Sequence, residues 1–161
     1  MTGRSAQFDD LDGRLVTLLA EQPRIGVLEA ARRLGVARGT VQARLDRLQA
    51  RGVITGFGPD IDPGALGFEV SAFVTLEIRQ GSGHRAVAEH LARIPEVLEL
   101  HTVTGQGDLL CRIVARSNAD LQRVIDEVVA DEDIRRASTL IALSAPIPYR
   151  VLPLVARCAQ G

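Results

Sequence analysis

Residues 36–52 read Val36-Ala37-Arg38-Gly39-Thr40-Val41-Gln42-Ala43-Arg44-Leu45-Asp46-Arg47-Leu48-Gln49-Ala50-Arg51-Gly52. Val41, Leu45 and Leu48 recur at helical spacing and define one buried stripe. Arg38, Arg44, Arg47 and Arg51 fall off that stripe, so the pattern predicts that they point outward. Gly52 supplies the left-handed residue that closes such a helix. A short helix whose free face is arginine and glutamine suits the major groove of DNA. There Arg reads guanine O6 and N7, Gln reads adenine, and Ala or Thr meets a thymine methyl. Arg38, Thr40, Gln42, Ala43, Arg44 and Arg47 are the candidate readers, and Arg24, Arg32 and Arg33 are candidate phosphate contacts, which position without specifying. Taken alone, the same face also reads as an ordinary solvated helix surface.

The residues upstream give this helix its neighbours. Asp9-Asp10-Leu11-Asp12 clusters acids where a helix dipole favours them, and Leu11, Leu15, Leu18 and Leu19 continue as an apolar stripe until Pro23. A second helix runs through Leu28, Ala31 and Leu34 and is closed by Gly35. Three short helices with a glycine turn between the second and third predict a helix-turn-helix unit. Charge agrees with this placement. The 161-residue chain has a net charge of −1, yet residues 24–51 hold 7 Arg against 2 acids, or +5. Residues 56–161 hold 10 Arg against 14 acids, or −4. The basic footprint lies on the helix pair.

Downstream the period changes. Residues 53–63 are broken by Gly and Pro and read as a strand-like linker. From Phe68, the series Val70, Ala72, Val74, Leu76 and Ile78 alternates with polar residues, predicting a strand with one buried face. A helix is expected over about 84–94, strands over about 97–104 and 108–115, a helix over about 118–130 and a strand over about 137–144. The order βαββαβ predicts a ferredoxin-like sandwich, four antiparallel strands with both helices on one face. The fold class is therefore α+β, an N-terminal helix-turn-helix (winged-helix-like) domain over 1–54, a linker over 55–67 and the ferredoxin-like domain over 68–145. Residues 146–161 are expected as an extended, docked tail.

Between the second and third strands stands Gly105-Gln106-Gly107-Asp108. Two glycines let backbone N–H groups cradle a carboxylate, and Asp108 would face an ammonium group, a combination suited to a zwitterion. A plain hairpin turn accounts for the same residues. His101, on the strand leading into this loop, is a further candidate contact. His84, His90 and His101 have no ligand spacing with one another or with Cys111. No P-loop, Ser-His-Asp order or paired-carboxylate site is present, so no catalytic residue, metal or cofactor is expected. Cys111 and Cys158 lack CxxC spacing and argue against a disulfide framework. No apolar run reaches 18 residues, and the first twelve residues are polar, so neither a membrane span nor a signal peptide is expected and the location is read as cytoplasmic.

Several of these separated motifs together resemble the Lrp/AsnC, or feast/famine, family of transcription regulators. Leu11-Asp12 with Leu18-Leu19 resembles the family opening, 24–36 resembles its second helix, and Arg44 to Leu48 followed by Gly52-Val53-Ile54 resembles the end of its third. Leu66-Gly67 and Val103-Thr104-Gly105-Gln106-Gly107-Asp108 resemble two further motifs, and Thr139 stands where the family carries a late threonine. The resemblance covers about residues 9–145. It implies an N-terminal domain that binds DNA and a C-terminal domain that binds an amino acid or related metabolite through residues such as Thr104, Gly105, Gln106, Gly107, Asp108 and Thr139. It also implies dimers that pair through the C-terminal sheets and assemble further, to octamers. Gly26 and Ala37 depart from the family, which has serine caps there. Two alternatives remain: a catalytic relative of this architecture, of the haem-biosynthesis decarboxylase type, whose His- and Arg-rich patch this chain lacks, and a ligand-sensing module without DNA binding.

Overall fold

The computed structural model describes residues 8–79 and 84–159; the polar stretch 1–7 lies outside them. In chain order the elements are α1 (Asp10–Glu21), α2 (Val27–Leu34), α3 (Arg38–Ala50), a 3-10 turn (Gly64–Leu66), β1 (Val70–Ile78), α4 (His84–Leu91), β2 (Val97–Thr102), β3 (Leu109–Ala115), α5 (Asn118–Val128), β4 (Ile134–Ala142) and α6 (Leu152–Ala159). They form two compact units, residues 1–59 with 147–161, and residues 60–146.

Among the described residues, every element of the first unit is a helix. Leu15 of α1, Ala30, Ala31 and Leu34 of α2, and Val41, Leu45 and Leu48 of α3 make its core. Leu28, expected inside, is half exposed, because α2 turns Ala30 and Ala31 inward instead. Asp9 caps α1 through a reciprocal box: its carboxylate accepts from Asp12 N, and the Asp12 carboxylate accepts from Asp9 N. Gly35 takes φ 70°, the left-handed turn between α2 and α3. Beyond α3 the chain turns back rather than running on as a strand: Val53 and Ile54 both donate to Leu48 O, at 2.9 and 3.2 Å.

Residues 152–159 correct the expectation of an extended tail. Leu152, Val155, Ala156 and Ala159 stand at i, i+3, i+4 and i+7, a helical period hidden by the neighbouring prolines. Pro153 lies in the first turn of α6, where its missing N–H costs nothing. This helix packs on α1. The approach is close at Gly13, where an added Cβ would stand 2.7 Å from Ala159 Cβ.

The second unit is a four-stranded sheet in the order β2-β3-β1-β4, every neighbouring pair antiparallel. One face is dry. Ala72, Val74 and Leu76 of β1 and Leu109, Cys111 and Ile113 of β3 meet Val87 and Leu91 of α4 and Leu121, Val124 and Val128 of α5. Burial pushes the Cys111 thiol up to about 11, so it sits there as a protonated hydrophobe. His90 Nε2 lies 3.0 Å from Glu127 O and ties α4 to α5. β4 begins at Ile134, three residues earlier than expected. Arg79 N donates to Asp133 O, and the register shift at Glu77/Ile78 extends the ladder across the polar pair Arg135-Arg136.

Ala37 caps α3 with extended backbone (φ −67°, ψ 147°) and no side-chain hydrogen bond. Ala37→Ser restores an acceptor for a free N–H of the first turn. It is expected to stabilise the first unit by about 1 kcal/mol in urea unfolding; an unchanged or lower midpoint would sink that expectation.

Candidate DNA-reading helix and ligand hollow

The buried stripe of α3 leaves Arg38, Thr40, Gln42 and Ala43 exposed, as its spacing requires. Gln42 Nε2 donates to Asp46 Oδ1 at 2.8 Å along the outer face. Arg44 and Arg47 correct the outward reading. They lie on the flank facing α1, where Arg44 Nη1 reaches Asp9 Oδ1 at 2.6 Å and Asp12 Oδ1 at 2.7 Å, and Arg47 Nη2 reaches Asp12 Oδ1 at 2.7 Å. The sequence did not disclose this because their partners lie more than thirty residues upstream. Asp12 is fully buried between them. The Arg44 guanidinium holds the Asp9 carboxyl below the usual carboxylate range, and Asp9 in turn raises Arg44. Arg32 and Arg33 share Glu29 on the exposed side of α2. Among the described residues, Arg24 and Arg38 pair with no carboxylate.

The other candidate site lies on the open face of the sheet. Antiparallel pairing sets Thr75 opposite Ser138 and Glu77 opposite Arg136. With Leu140 and the loop Gly105, Gln106 and Gly107 they line a hollow of about 750 Å³. Arg136 Nη1 stands 3.8 Å from Glu77 Oε1, both well exposed. Among the described residues, no acceptor takes the N–H groups of Gly105, Gln106 or Gly107. The loop is fixed against β1 by Asp108, whose N donates to Leu76 O at 2.9 Å and whose Oδ2 accepts from Ile78 N at 2.8 Å.

The structure therefore brings together three of the loop residues expected from sequence, and places the others elsewhere. Asp108 spends its carboxylate on the backbone of β1, so that oxygen does not face an ammonium group. Thr139 pairs with Val74, whose side chain is buried under the helices, and so faces the dry layer rather than the hollow. Thr104 does not line the hollow, and His101 lies across the sheet beside Glu99, 3.3 Å away. Thr75, Glu77, Arg136 and Ser138 were missed. Alternation in β1 marked Thr75 and Glu77 as open-face residues, but Arg136 lay outside the expected last strand, and only the β1–β4 register shows that these residues meet. Among the described residues, no group of three or more His, Cys, Asp or Glu could hold a metal ion, and no helix is long and apolar enough to cross a membrane.

A helix-turn-helix with an arginine-bearing third helix, joined to an antiparallel βαββαβ unit, defines a DNA-binding regulator with a sensory domain as the class. The chain belongs to the Lrp/AsnC family of transcriptional regulators: the AsnC-type helix-turn-helix model matches residues 8–49, and the Lrp/AsnC ligand binding domain model matches residues 71–152. An uncharacterized HTH-type transcriptional regulator of Pyrococcus abyssi is 37% identical over 142 residues, 88% of this chain and 89% of that protein. The structure of Escherichia coli AsnC superposes with a TM-score of 0.82 at 28% identity, covering 90% of this chain and 98% of that one. A feast or famine regulatory protein from Mycobacterium tuberculosis, solved with L-methionine, gives 0.78 at 29% identity over 89% of this chain and 97% of its own.

Gly107 takes φ 110°, and an added Cβ would collide with Thr75 Cγ2 and stand 3.2 Å from Leu76 O. Gly105, at φ 118°, has open space around it. Gly107→Ala is expected to cost about 1–3 kcal/mol or more in urea unfolding, with Gly105→Ala costing less because only the backbone is strained there. Equal costs would contradict the tight seating of the loop.

Proposed function

We propose that this regulator responds to an amino acid or a closely related zwitterion bound at the Gly105–Gly107 hollow. The observation that carries the reading is the pairing in one hollow of Arg136, Glu77 and unclaimed backbone N–H groups. A cation and a row of N–H donors suit a carboxylate, and the carboxylate of Glu77 suits an ammonium group. The methionine carried by the M. tuberculosis relative is of this chemistry. Glu77 takes the role first expected of Asp108. Separation of the two ions by the ligand replaces an exposed pair at 3.8 Å, whose own worth is small.

The open sheet face carries Phe73 and Leu140, 38% and 67% exposed, and in this reading it pairs two copies of the chain, with further assembly to an octamer. Ligand binding at one edge of that face then shifts the population of assembly states, and with it the spacing of paired α3 helices over two half-sites. Light scattering that returned only the 17.3 kDa monomer mass would remove the assembly step. The regulator names of the relatives favour this reading over a catalytic one.

Two measurements test it. Retention of a duplex pool in gel shift is expected to weaken steeply with salt, and Arg24→Ala, the loss of one phosphate contact, to reduce the log–log slope by about one. A wild-type chain that retains no duplex at low salt removes the DNA-reading role. In a thermal-shift screen of the twenty amino acids, a ligand at 100-fold its Kd adds roughly 2.7 kcal/mol. Arg136→Ala is expected to abolish that shift without lowering the ligand-free midpoint, and a retained shift would move the ligand elsewhere.

A further inference from the structure

The uncapped start of α3 raises a question of orientation. Its stripe of Val41, Leu45 and Leu48 is aliphatic and smooth, and Ala37 offers no side-chain hydrogen bond to hold the first turn. Apolar packing is non-directional, so a stripe of this kind tolerates small rotations about the helix axis. Groove reading does not, because base-edge hydrogen bonds need the right azimuth.

We infer that Asp9 and Asp12 are positioning residues for DNA reading, fixing the azimuth of α3 through Arg44 and Arg47. The inference rests on the DNA-reading role proposed above and assigns its parts. Arg38, Thr40 and Ala43 meet the groove, while Arg44 and Arg47, chosen from the sequence as readers, serve as the struts. Geometry carries this assignment. Arg44 Nη1 bridges two carboxylates at 2.6 and 2.7 Å, and Arg47 Nη2 meets both oxygens of Asp12 at 2.7 Å. Arg47 Nε is buried with no acceptor, so this side chain is folded against α1 and not held out to solvent. Asp12 is buried completely, which makes the pairing obligatory: releasing either arginine to a phosphate would leave a dry carboxylate short of a partner. The same Asp9–Asp12 pair is the reciprocal cap of α1, so the struts are anchored on the capped end of that helix. Charge counting changes accordingly. Residues 24–51 carry +5, and the two carboxylates lower the effective footprint to +3.

The simple electrostatic alternative predicts the opposite sign. If Arg44 and Arg47 contacted DNA, Asp9 and Asp12 would be competitors, and neutralising them would tighten binding. The experiment uses the full chain and a single duplex selected by the wild type from a random pool, with the unselected pool as the non-specific probe. The variants are Asp12→Asn, Asp9→Asn and Arg44→Lys. Asp9→Asn keeps a good helix cap while removing the charge, so it remains informative if Asp12→Asn unfolds. Arg44→Lys keeps the charge but puts it on a flexible ammonium stem, which does not hold a nitrogen in the Nη1 position that bridges the two carboxylates.

For every variant that melts above the assay temperature, the ratio of selected to pool affinity is expected to fall about tenfold, the loss of one good base contact. The salt slope is expected to stay at the wild-type value, and Arg44→Lys is not expected to restore the ratio. Tighter binding by Asp9→Asn, near-wild-type selectivity of Arg44→Lys, or a lower melting point with an unchanged affinity ratio would each overturn the inference. A wild type that selects no duplex would instead overturn the DNA-reading role itself.

Discussion

Asp12 has no contact with water, and burying a carboxylate there is costly unless opposite charges and N–H donors surround it. Arg44, Arg47 and the Asp9 N–H supply them. That requirement ties three pieces of chain together: the cap before α1, the first turn of α1, and the middle of α3. Deleting one partner of such a cluster costs about 3–5 kcal/mol, more than any single cap or surface pair in the unit. The small aliphatic core of the helical unit supplies the cohesion. The charged cluster supplies the angle, and the left-handed glycine turn at Gly35 joins α2 to α3.

Much of the architecture was legible because it is written in periodicity. The alternation from Val70 to Ile78 and the 3.6-residue spacing in α3 and α5 report local geometry, and each element appeared where its pattern placed it. Misplaced pieces share a cause. At α6 the prolines at 146, 148 and 153 spoke louder than the spacing of Leu152, Val155 and Ala159, although Pro153 falls in a harmless first-turn position. At β4 the first three residues fell outside the expected strand, because Arg135 and Arg136 pack no core and only the ladder with β1 carries the strand through them.

The candidate sites divide in the same way. The glycine loop could be found from sequence, since φ values of 118° and 110° at Gly105 and Gly107 are what such a pair of glycines is for. What could not be found was pairing at a distance. Arg44 meeting Asp9, and Arg136 meeting Glu77, depend on tertiary registers that no single-strand pattern encodes. Outward-pointing polarity was therefore read correctly as polarity and wrongly as freedom. Asp108 is the mirror case: a polar residue expected to serve a ligand gives one carboxylate oxygen to the backbone of its own sheet.

The packing of α6 on α1 has a consequence for how the molecule comes into being. The sheet unit is one continuous stretch of chain, residues 60–146, and holds everything needed for its own core. The helical unit is split, with α6 following the sheet unit in sequence. During vectorial synthesis the N-terminal helices emerge first, yet the face of α1 around Gly13 stays uncovered until residues 152–159 have left the ribosome. Completion of the DNA-binding unit thus follows completion of the sensory one, and a nascent regulator acquires its means of detection before its finished means of output.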